Sequence, residues 1–165
     1  MCDKYDWLPP KIEFSIYKGD WFRYLEDVYL VYLKTLVWDR AAFQEKTVYT
    51  IAEPKRDDKE DTFWHIVEGK GEDKTETDFG RYACIPWVRK VIESNIPGDI
   101  AWWIEKRTKV GKRRGIERLH ITLRDFSYIV VLNVLGNRYL LITAYPIKSE
   151  WDRKKYKKRF DRWKK

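Results

Sequence analysis

Cysteine and histidine are scarce in this 165-residue chain. There are two cysteines, Cys2 and Cys84, and two histidines, His65 and His120. Two cysteines do not form a disulfide framework, and these four residues do not follow the spacing of a zinc site. The sequence therefore predicts a protein that uses no metal and no cofactor, in a reducing compartment.

Long apolar runs are also missing. The longest, Val28 to Leu33, is far too short to span a bilayer. The first seven residues lack the basic-then-apolar layout of a signal peptide. We therefore expect a cytoplasmic protein that has no membrane partner.

Aromatic residues, in contrast, are abundant. They make up 16% of the chain, with nine Trp, eleven Tyr and seven Phe. This content excludes a disordered protein and favours large flat side chains packed against a sheet. Aromatic side chains that remain exposed could stack on unpaired bases, although core packing is their commoner use. The chain length fits a single domain, residues 1–165, that can bury a real core.

Positive charge is concentrated at the end of the chain. From Lys148 to Lys165 there are ten Lys or Arg and three acidic residues, a balance of +7 out of a net charge of +8. A cluster of this kind suits attraction to a phosphate backbone, and it can equally be the solvated face of a C-terminal helix. The candidate nucleic-acid-binding residues in this segment are Lys154, Lys155, Lys157, Lys158, Arg159 and Arg162.

Helical spacing dominates the first half of the chain. The sequence predicts a helix that begins after a cap at Asp20 and ends near Val37. A short strand follows at residues 47–51, then a charged loop at 53–61. Residues 62–69 fit either a strand or a two-turn helix with Thr62 as its cap, and we favour the helix. Another helix is predicted at residues 86–95, with Pro86 in its first turn.

The pattern changes to alternation after residue 98. Strands are predicted at residues 100–106, 116–123, 128–134 and 139–145, with turns at 109–114, 124–126 and 135–137. Short links between sequential strands indicate an antiparallel meander. We therefore predict an α+β fold in which N-terminal helices pack on a four- to five-stranded antiparallel meander sheet. Its parts are a helix and strand in residues 1–52, a core in 61–147 and a basic helix in 148–165.

Alternation also assigns side chains to sheet faces. In one strand it places Arg118, His120 and Thr122 together, and in the last strand it places Thr143 and Tyr145 with Tyr139 and Leu141. A cation, a hydroxyl and a phenol on one face could hold a phosphate. The alternatives are that Thr143 is an ordinary strand residue and that Tyr145 is a core aromatic.

His65 is a candidate for proton transfer, because imidazole is suited to that role near neutral pH. The alternative is a hydrogen-bonded structural histidine, which is the interpretation that we favour for His120. Arg81 and Arg89 flank Trp87, where arginine can form a bidentate phosphate clamp or an ordinary salt bridge.

Several short strings resemble a known family. They are Phe63-Trp64-His65-Ile66, Trp87-Val88-Arg89 and Thr143-Ala144-Tyr145-Pro146, together with the entry Gly19-Asp20-Trp21 and the Lys/Arg-rich final helix. In this order they resemble a family of uncharacterised phage and plasmid proteins grouped with the barnase–EndoU–colicin–RelE-like (BECR) nuclease superfamily. The resemblance extends from about Asp61 to the C-terminus.

The resemblance implies a RelE-like fold with a nuclease core at residues 61–147. It also implies metal-independent cleavage of RNA through its own 2′-hydroxyl, by a phage or plasmid toxin or conflict protein. The implied partners are RNA, with tRNA or ribosome-bound mRNA as options, and an antitoxin or immunity protein. The implied roles are acid/base catalysis by His65, phosphate stabilisation by Arg89 and Arg118, phosphate positioning by Thr143 and Tyr145, and RNA binding by Arg81 and the basic tail.

Two non-catalytic interpretations stay open. The same fold can be a nucleic-acid or protein-binding module, whose sheet face docks bases and whose tail supplies charge. The aromatic surface can also be a protein interface of a structural or inhibitory phage protein.

Overall fold

The computed structural model describes residues 4–69, 77–106 and 115–164. Within these ranges the helices are α1 (Trp21–Tyr32), α2 (Asp61–Glu68), α3 (Phe79–Ala83), α4 (Trp87–Glu93) and α5 (Glu150–Trp163). The strands are β1 (Ala42–Phe43), β2 (Lys46–Tyr49), β3 (Ile100–Lys106), β4 (Glu117–Leu123), β5 (Tyr128–Leu135) and β6 (Arg138–Pro146). The predicted turn at 109–114 lies outside the described residues.

Helix α1 forms as predicted. The Asp20 carboxylate accepts a hydrogen bond from the Arg23 backbone N–H at 3.1 Å and so caps the first turn. The buried side chains Tyr24, Val28 and Tyr32 follow at four-residue spacing along one side of the helix. A single π-helical turn, Leu33–Val37, continues α1 to the predicted end.

Residues 61–68 form a helix, which confirms the favoured interpretation of that segment. Thr62 is not its cap, because Glu60 occupies the N-cap position. The Thr62 hydroxyl instead accepts a hydrogen bond from the Ile51 backbone N–H at 2.7 Å and ties α2 to the chain that follows β2.

The six strands form one mixed sheet in the order β1-β2-β6-β5-β4-β3. The α+β class is therefore confirmed, but the sheet is neither four- to five-stranded nor wholly antiparallel. Strand β2 pairs in parallel with β6, where Val48 lies opposite Tyr139. The N-terminal segment thus covers an edge of β6 that would otherwise expose unpaired backbone groups.

The inner face of the sheet, which packs against α1, α2 and α4, carries the main core. Its buried strand residues include Leu119, Ile121, Val130, Leu132 and Leu141. Burial of these aliphatic side chains against the helices contributes hydrophobic stabilisation to the fold.

The outer face of the sheet is the opposite side, and α5 lies across its β3 end. Trp103, Ile129 and Val131 form a second buried cluster there, against which Phe160 and Trp163 of α5 pack. Helix α5, as predicted, begins after Ser149, whose hydroxyl accepts a hydrogen bond from the Asp152 backbone N–H at 3.0 Å.

An irregularity in the β5–β6 pair changes the predicted faces of the last strand. Val131 lies opposite Thr143, whereas the next residue of β5, Leu132, lies opposite Leu141. Ile142 is therefore an extra residue, and it reverses the alternation beyond it. Thr143 consequently lies on the outer face, while Leu141 lies on the inner face. The prediction that these two residues share a face is wrong.

Replacing Ile121 by Ala should lower the free energy of unfolding by about 2–4 kcal/mol, because this fully buried side chain leaves a cavity. Urea denaturation followed by tryptophan fluorescence measures the change. The matched control is Ile16→Ala, at a side chain that is 73% exposed, which should change stability by less than about 0.5 kcal/mol. Equal losses in the two variants would contradict the assignment of the core.

Candidate nucleic-acid interface

Helix α5 presents two different faces. Its inward side chains, Tyr156, Phe160 and Trp163, recur at helical spacing and pack against the sheet. The exposed cations on the rest of its surface are Lys154, Lys155, Lys157, Lys158 and Arg162. Five of the six predicted nucleic-acid-binding residues of the tail are therefore exposed to solvent.

Arg159 is the exception. Its Nε and Nη2 atoms donate to the two carboxylate oxygens of Glu105 on β3, at 2.6 and 2.7 Å. Nη2 also lies 3.2 Å from Nε2 of His120, and the guanidinium lies 5.0 Å from the ring centroid of Tyr156. Arg159 therefore holds α5 on the sheet through contacts inside the protein.

The environment of His120 keeps its imidazole neutral. His120 is 3% exposed and stacks on Trp103 at a centroid distance of 4.9 Å. Burial lowers its pKa to about 4; the Glu105 carboxylate favours protonation, but the Arg159 and Arg118 guanidinium groups oppose it. Because Arg159 can only donate, Nε2 accepts and the proton resides on Nδ1, for which the described residues supply no partner. This geometry fits the structural role that the sequence favours for His120.

Glu105 is correspondingly ionised. Burial alone would raise the pKa of its carboxyl, but hydrogen bonds from Arg159 and Trp103 lower it to about 2. Trp103 contributes its Nε1–H at 3.0 Å. A carboxylate, a guanidinium and a neutral imidazole thus form one connected group between α5 and the sheet.

Tyr145 also lies between α5 and the sheet, beside Arg81. The Tyr145 and Tyr156 hydroxyls are hydrogen-bonded to each other. The Arg81 guanidinium lies 4.6 Å from the ring centroid of Tyr145, and its Nη1 donates to the backbone carbonyl of Ile66 at 3.1 Å. Burial, together with the hydrogen bond to Tyr156, raises the pKa of Tyr145, so its phenol stays neutral at physiological pH.

The position of Arg81 requires glycine at residue 69. A Cβ atom there would lie 2.8 Å from three atoms of the Arg81 guanidinium, and the φ of Gly69 is +69°. Arg81 also lies 3.5 Å from Asp78, and its side chain is 18% exposed. It therefore ties α2, α3 and β6 together.

His65 and Thr143 meet where α2 runs beside β6. The Thr143 hydroxyl donates to the backbone carbonyl of His65 at 3.1 Å. The His65 imidazole points elsewhere, to Asp61, with 3.2 Å between Nε2 and Oδ2, and it is 36% exposed. Asp61 was not among the predicted site residues, although its position four residues before His65 places both on one side of a helix.

The two remaining predicted cations lie on opposite sides of the sheet. Arg118 is on the outer face, where its Nε donates to Asn133 at 3.1 Å. Arg89 lies on α4, in the helical layer of the inner face, and its Nε donates to Glu93 at 2.8 Å. Its Nη1 contacts Asp39 and the carbonyl of Thr35.

The structure thus brings together only part of the predicted site. Arg81, Thr143, Tyr145 and the backbone of His65 are joined through the contacts at the end of β6, and Arg118 shares the outer face with them. Arg89 contacts none of these residues in the described part of the chain; it joins α4 to the end of the α1 segment.

Comparison of the chain with family models, with curated proteins and with solved structures finds no match. Among the described residues, no group of three or more His, Cys, Asp or Glu could hold a metal ion. None of the described helices has the length and apolarity needed to cross a membrane.

His120 should make stability depend on pH. An unfolded histidine takes up a proton near pH 6.5, whereas folded His120 resists protonation down to about pH 4. Lowering the pH across this window therefore favours unfolding, and the loss should be about 2–3 kcal/mol. Urea denaturation at several pH values measures it.

A pair of single-histidine variants tests the assignment. His120→Phe keeps an aromatic ring beside Trp103 and should flatten the dependence between pH 6.5 and 4. His65→Gln removes the other histidine and should leave most of the dependence in place. An unchanged pH dependence in His120→Phe would contradict the account.

Proposed function

We propose that this chain binds RNA through the exposed basic face of α5. The observation that supports the proposal is the division of that helix, in which aromatic residues and Arg159 face the sheet while Lys154, Lys155 and Lys158 face solvent. A helix fixed in this way holds its cations in a defined array. Clustered cations attract a phosphate backbone, whatever its base sequence.

Trp151 adds a contact suited to unpaired bases. It lies in the first turn of α5 and is 71% exposed, with the Lys155 ammonium 5.6 Å from its ring centroid. Proteins that bind single-stranded nucleic acids place aromatic rings beside cations, because the bases stack on the rings while the cations neutralise the phosphates. We therefore propose single-stranded RNA as the ligand.

The RelE-like assignment belongs to the same proposal. Its support is the run of four consecutive antiparallel strands, β3 to β6, with helices on the inner face and the basic α5 on the outer face. The phage or plasmid context, the toxin role and the antitoxin partner rest on the sequence resemblance and stay predictions.

Removal of three lysines tests RNA binding. The variant K154Q/K155Q/K158Q should bind an oligouridine of about 20 nucleotides at least about tenfold more weakly near 0.1 M salt. The slope of log affinity against log salt should fall by about 2, since each lost phosphate contact on a single strand removes about 0.7. Fluorescence anisotropy titrations at several salt concentrations give both quantities.

The matched control is K34Q/K55Q/K90Q, which removes the same charge from three exposed lysines outside α5. It should retain nearly all of the affinity and the salt slope. Equal weakening in the two triple variants would show an effect of net charge alone and would contradict an α5 interface.

Metal-independent cleavage of RNA is the second candidate function. The observation that favours it is the solvent-accessible Asp61–His65 pair, which the Thr143 hydroxyl holds beside β6 through the His65 carbonyl. The His65 imidazole can take the proton of the attacking 2′-hydroxyl and return it to the 5′-oxygen as the P–O5′ bond breaks, and Arg118 on the outer face can stabilise the charged phosphorane. Thr143 and Tyr145 have internal partners, so in this proposal they position the site and do not contact the phosphate.

If cleavage occurs, it should persist in EDTA and leave 2′,3′-cyclic phosphate ends. His65→Ala and Arg118→Ala should each slow it by at least about 10²-fold, since each removes a transition-state interaction. Single-turnover assays on labelled RNA measure the rates.

Arg89→Gln provides the contrast. It should destabilise the fold through the loss of its contacts to Asp39 and Glu93, yet leave cleavage by the folded fraction unchanged. A loss of cleavage as large as that of His65→Ala, at equal folded fraction, would contradict the site described here.

A further inference from the structure

A second basic cluster lies at the other end of the sheet from α5. Two guanidinium groups flank the ring of Tyr49, with 4.8 Å between its centroid and Cζ of Arg40 and 5.6 Å between its centroid and Cζ of Arg138. The Cζ atoms of the two arginines are therefore no farther apart than the sum of these two distances. Tyr49 is 39% exposed, and Arg138 is exposed as well.

The strand register places this cluster on the outer face. Tyr49 lies opposite Leu140, which lies opposite Asn133, which in turn lies opposite Arg118. Paired residues share a face of a sheet, and Arg138 shares that face because it precedes Leu140 by two residues. Tyr49 and Arg138 thus lie on the same side of the sheet as α5.

Neither arginine has an acidic partner in the described part of the chain. Arg40 contacts the Thr50 hydroxyl at 3.4 Å besides the Tyr49 ring, and Arg138 contacts the ring alone. Most other arginines that lie over an aromatic ring do have an acidic partner: Arg56 pairs with Glu68, and Arg159 pairs with Glu105. The Thr50 hydroxyl that Arg40 contacts donates to Glu60 at 3.3 Å, but neither guanidinium group forms an ion pair among the described residues. A phosphate bound beside the Tyr49 ring would neutralise their charge.

We propose that Arg40, Tyr49 and Arg138 form a phosphate-binding site that holds a phosphodiester of the RNA strand bound at α5. The planar forks of two arginines fit phosphate oxygens bidentately, and the tyrosine ring fixes their orientation. Identifying the ligand as RNA rests on the proposed function, whereas the affinity for phosphate rests on the cluster itself.

The geometry lets one strand reach both sites. Helix α5 contacts the sheet from Tyr145 on β6 to Glu105 on β3, whereas the Tyr49 cluster lies at β2. The full distance from β2 to β3 is four strand spacings, about 19 Å, which a segment of several nucleotides spans. Arg118 on β4 lies between the two sites, on the same face. The α5 cations and the Tyr49 cluster therefore form the two ends of one basic track.

Binding measurements on two double variants test the proposal. R40Q/R138Q should bind an oligouridine of about 20 nucleotides about five- to tenfold more weakly, with the salt slope reduced by about 1.4. The matched control R23Q/K34Q removes two exposed charges, one from α1 and one from the π-helical turn that continues it, and its arginine lies 6.0 Å from the ring of Tyr17. It should bind as the wild type does.

A conservative variant distinguishes a site that needs the geometry of arginine from one that needs only positive charge. R40K/R138K keeps both charges but loses the planar forks, so its affinity should fall below that of the wild type, though less than that of R40Q/R138Q, while its salt slope stays unchanged. Wild-type affinity in R40K/R138K would overturn the bidentate site, and wild-type affinity in R40Q/R138Q would overturn the site altogether.

NMR distinguishes failure of this site from failure of the α5 interface. The arginine Nε–Hε signals of Arg40 and Arg138, assigned from the single variants, should shift when an oligouridine of about four nucleotides is added. They should also shift in K154Q/K155Q/K158Q, in which the α5 interface is removed. Chemical-shift changes of these arginine signals in that variant support the phosphate site even if α5 binds nothing. Unchanged chemical shifts at millimolar oligonucleotide refute the site.

Discussion

The bidentate contact between Arg159 and Glu105 is the interaction on which the outer face depends. It joins α5, the helix of the strongly basic C-terminal segment, to the edge strand of a sheet. Exposed ion pairs contribute little to stability, but this pair is largely covered and is surrounded by Trp103, His120 and Tyr156. The hydrogen bond between Tyr145 and Tyr156 adds a second attachment toward β6. Together these contacts decide which cations of α5 remain available.

The same arrangement divides the cations of the protein into two groups: those that have partners inside the protein and those that remain available for binding. Arg81, Arg89 and Arg159 have acidic partners or backbone carbonyls inside the protein. The exposed lysines of α5 and the arginines beside Tyr49 do not contribute to packing in this way. In the proposed function, RNA binding depends on the second group, while cleavage depends on His65 and Arg118. Variants of these two sets therefore test binding and cleavage separately.

Local patterns in the sequence were sufficient for much of the fold. Helical spacing located α1 and α5, and alternation placed Arg118 with His120. The parallel pairing of β2 with β6 joins distant segments and leaves no local signal. The extra residue Ile142 is flanked by neither Gly nor Pro, so the reversal of faces at Thr143 was not visible. The inward position of Arg159 could have been read from its place three residues after Tyr156, on the aromatic stripe. For Arg89, the carboxylate of Glu93 four residues later was an equally local clue.

Hydrogen exchange of the α5 amides in Glu105→Ala is the most direct measurement of whether the contact between Arg159 and Glu105 holds α5 on the sheet. The substitution leaves the half-buried Arg159 guanidinium beside His120 without a carboxylate, so the docked helix should become unfavourable. The account predicts that protection in α5 is lost by at least about tenfold while protection in β4 and β5 is retained. Unchanged protection of α5 in this variant would contradict it.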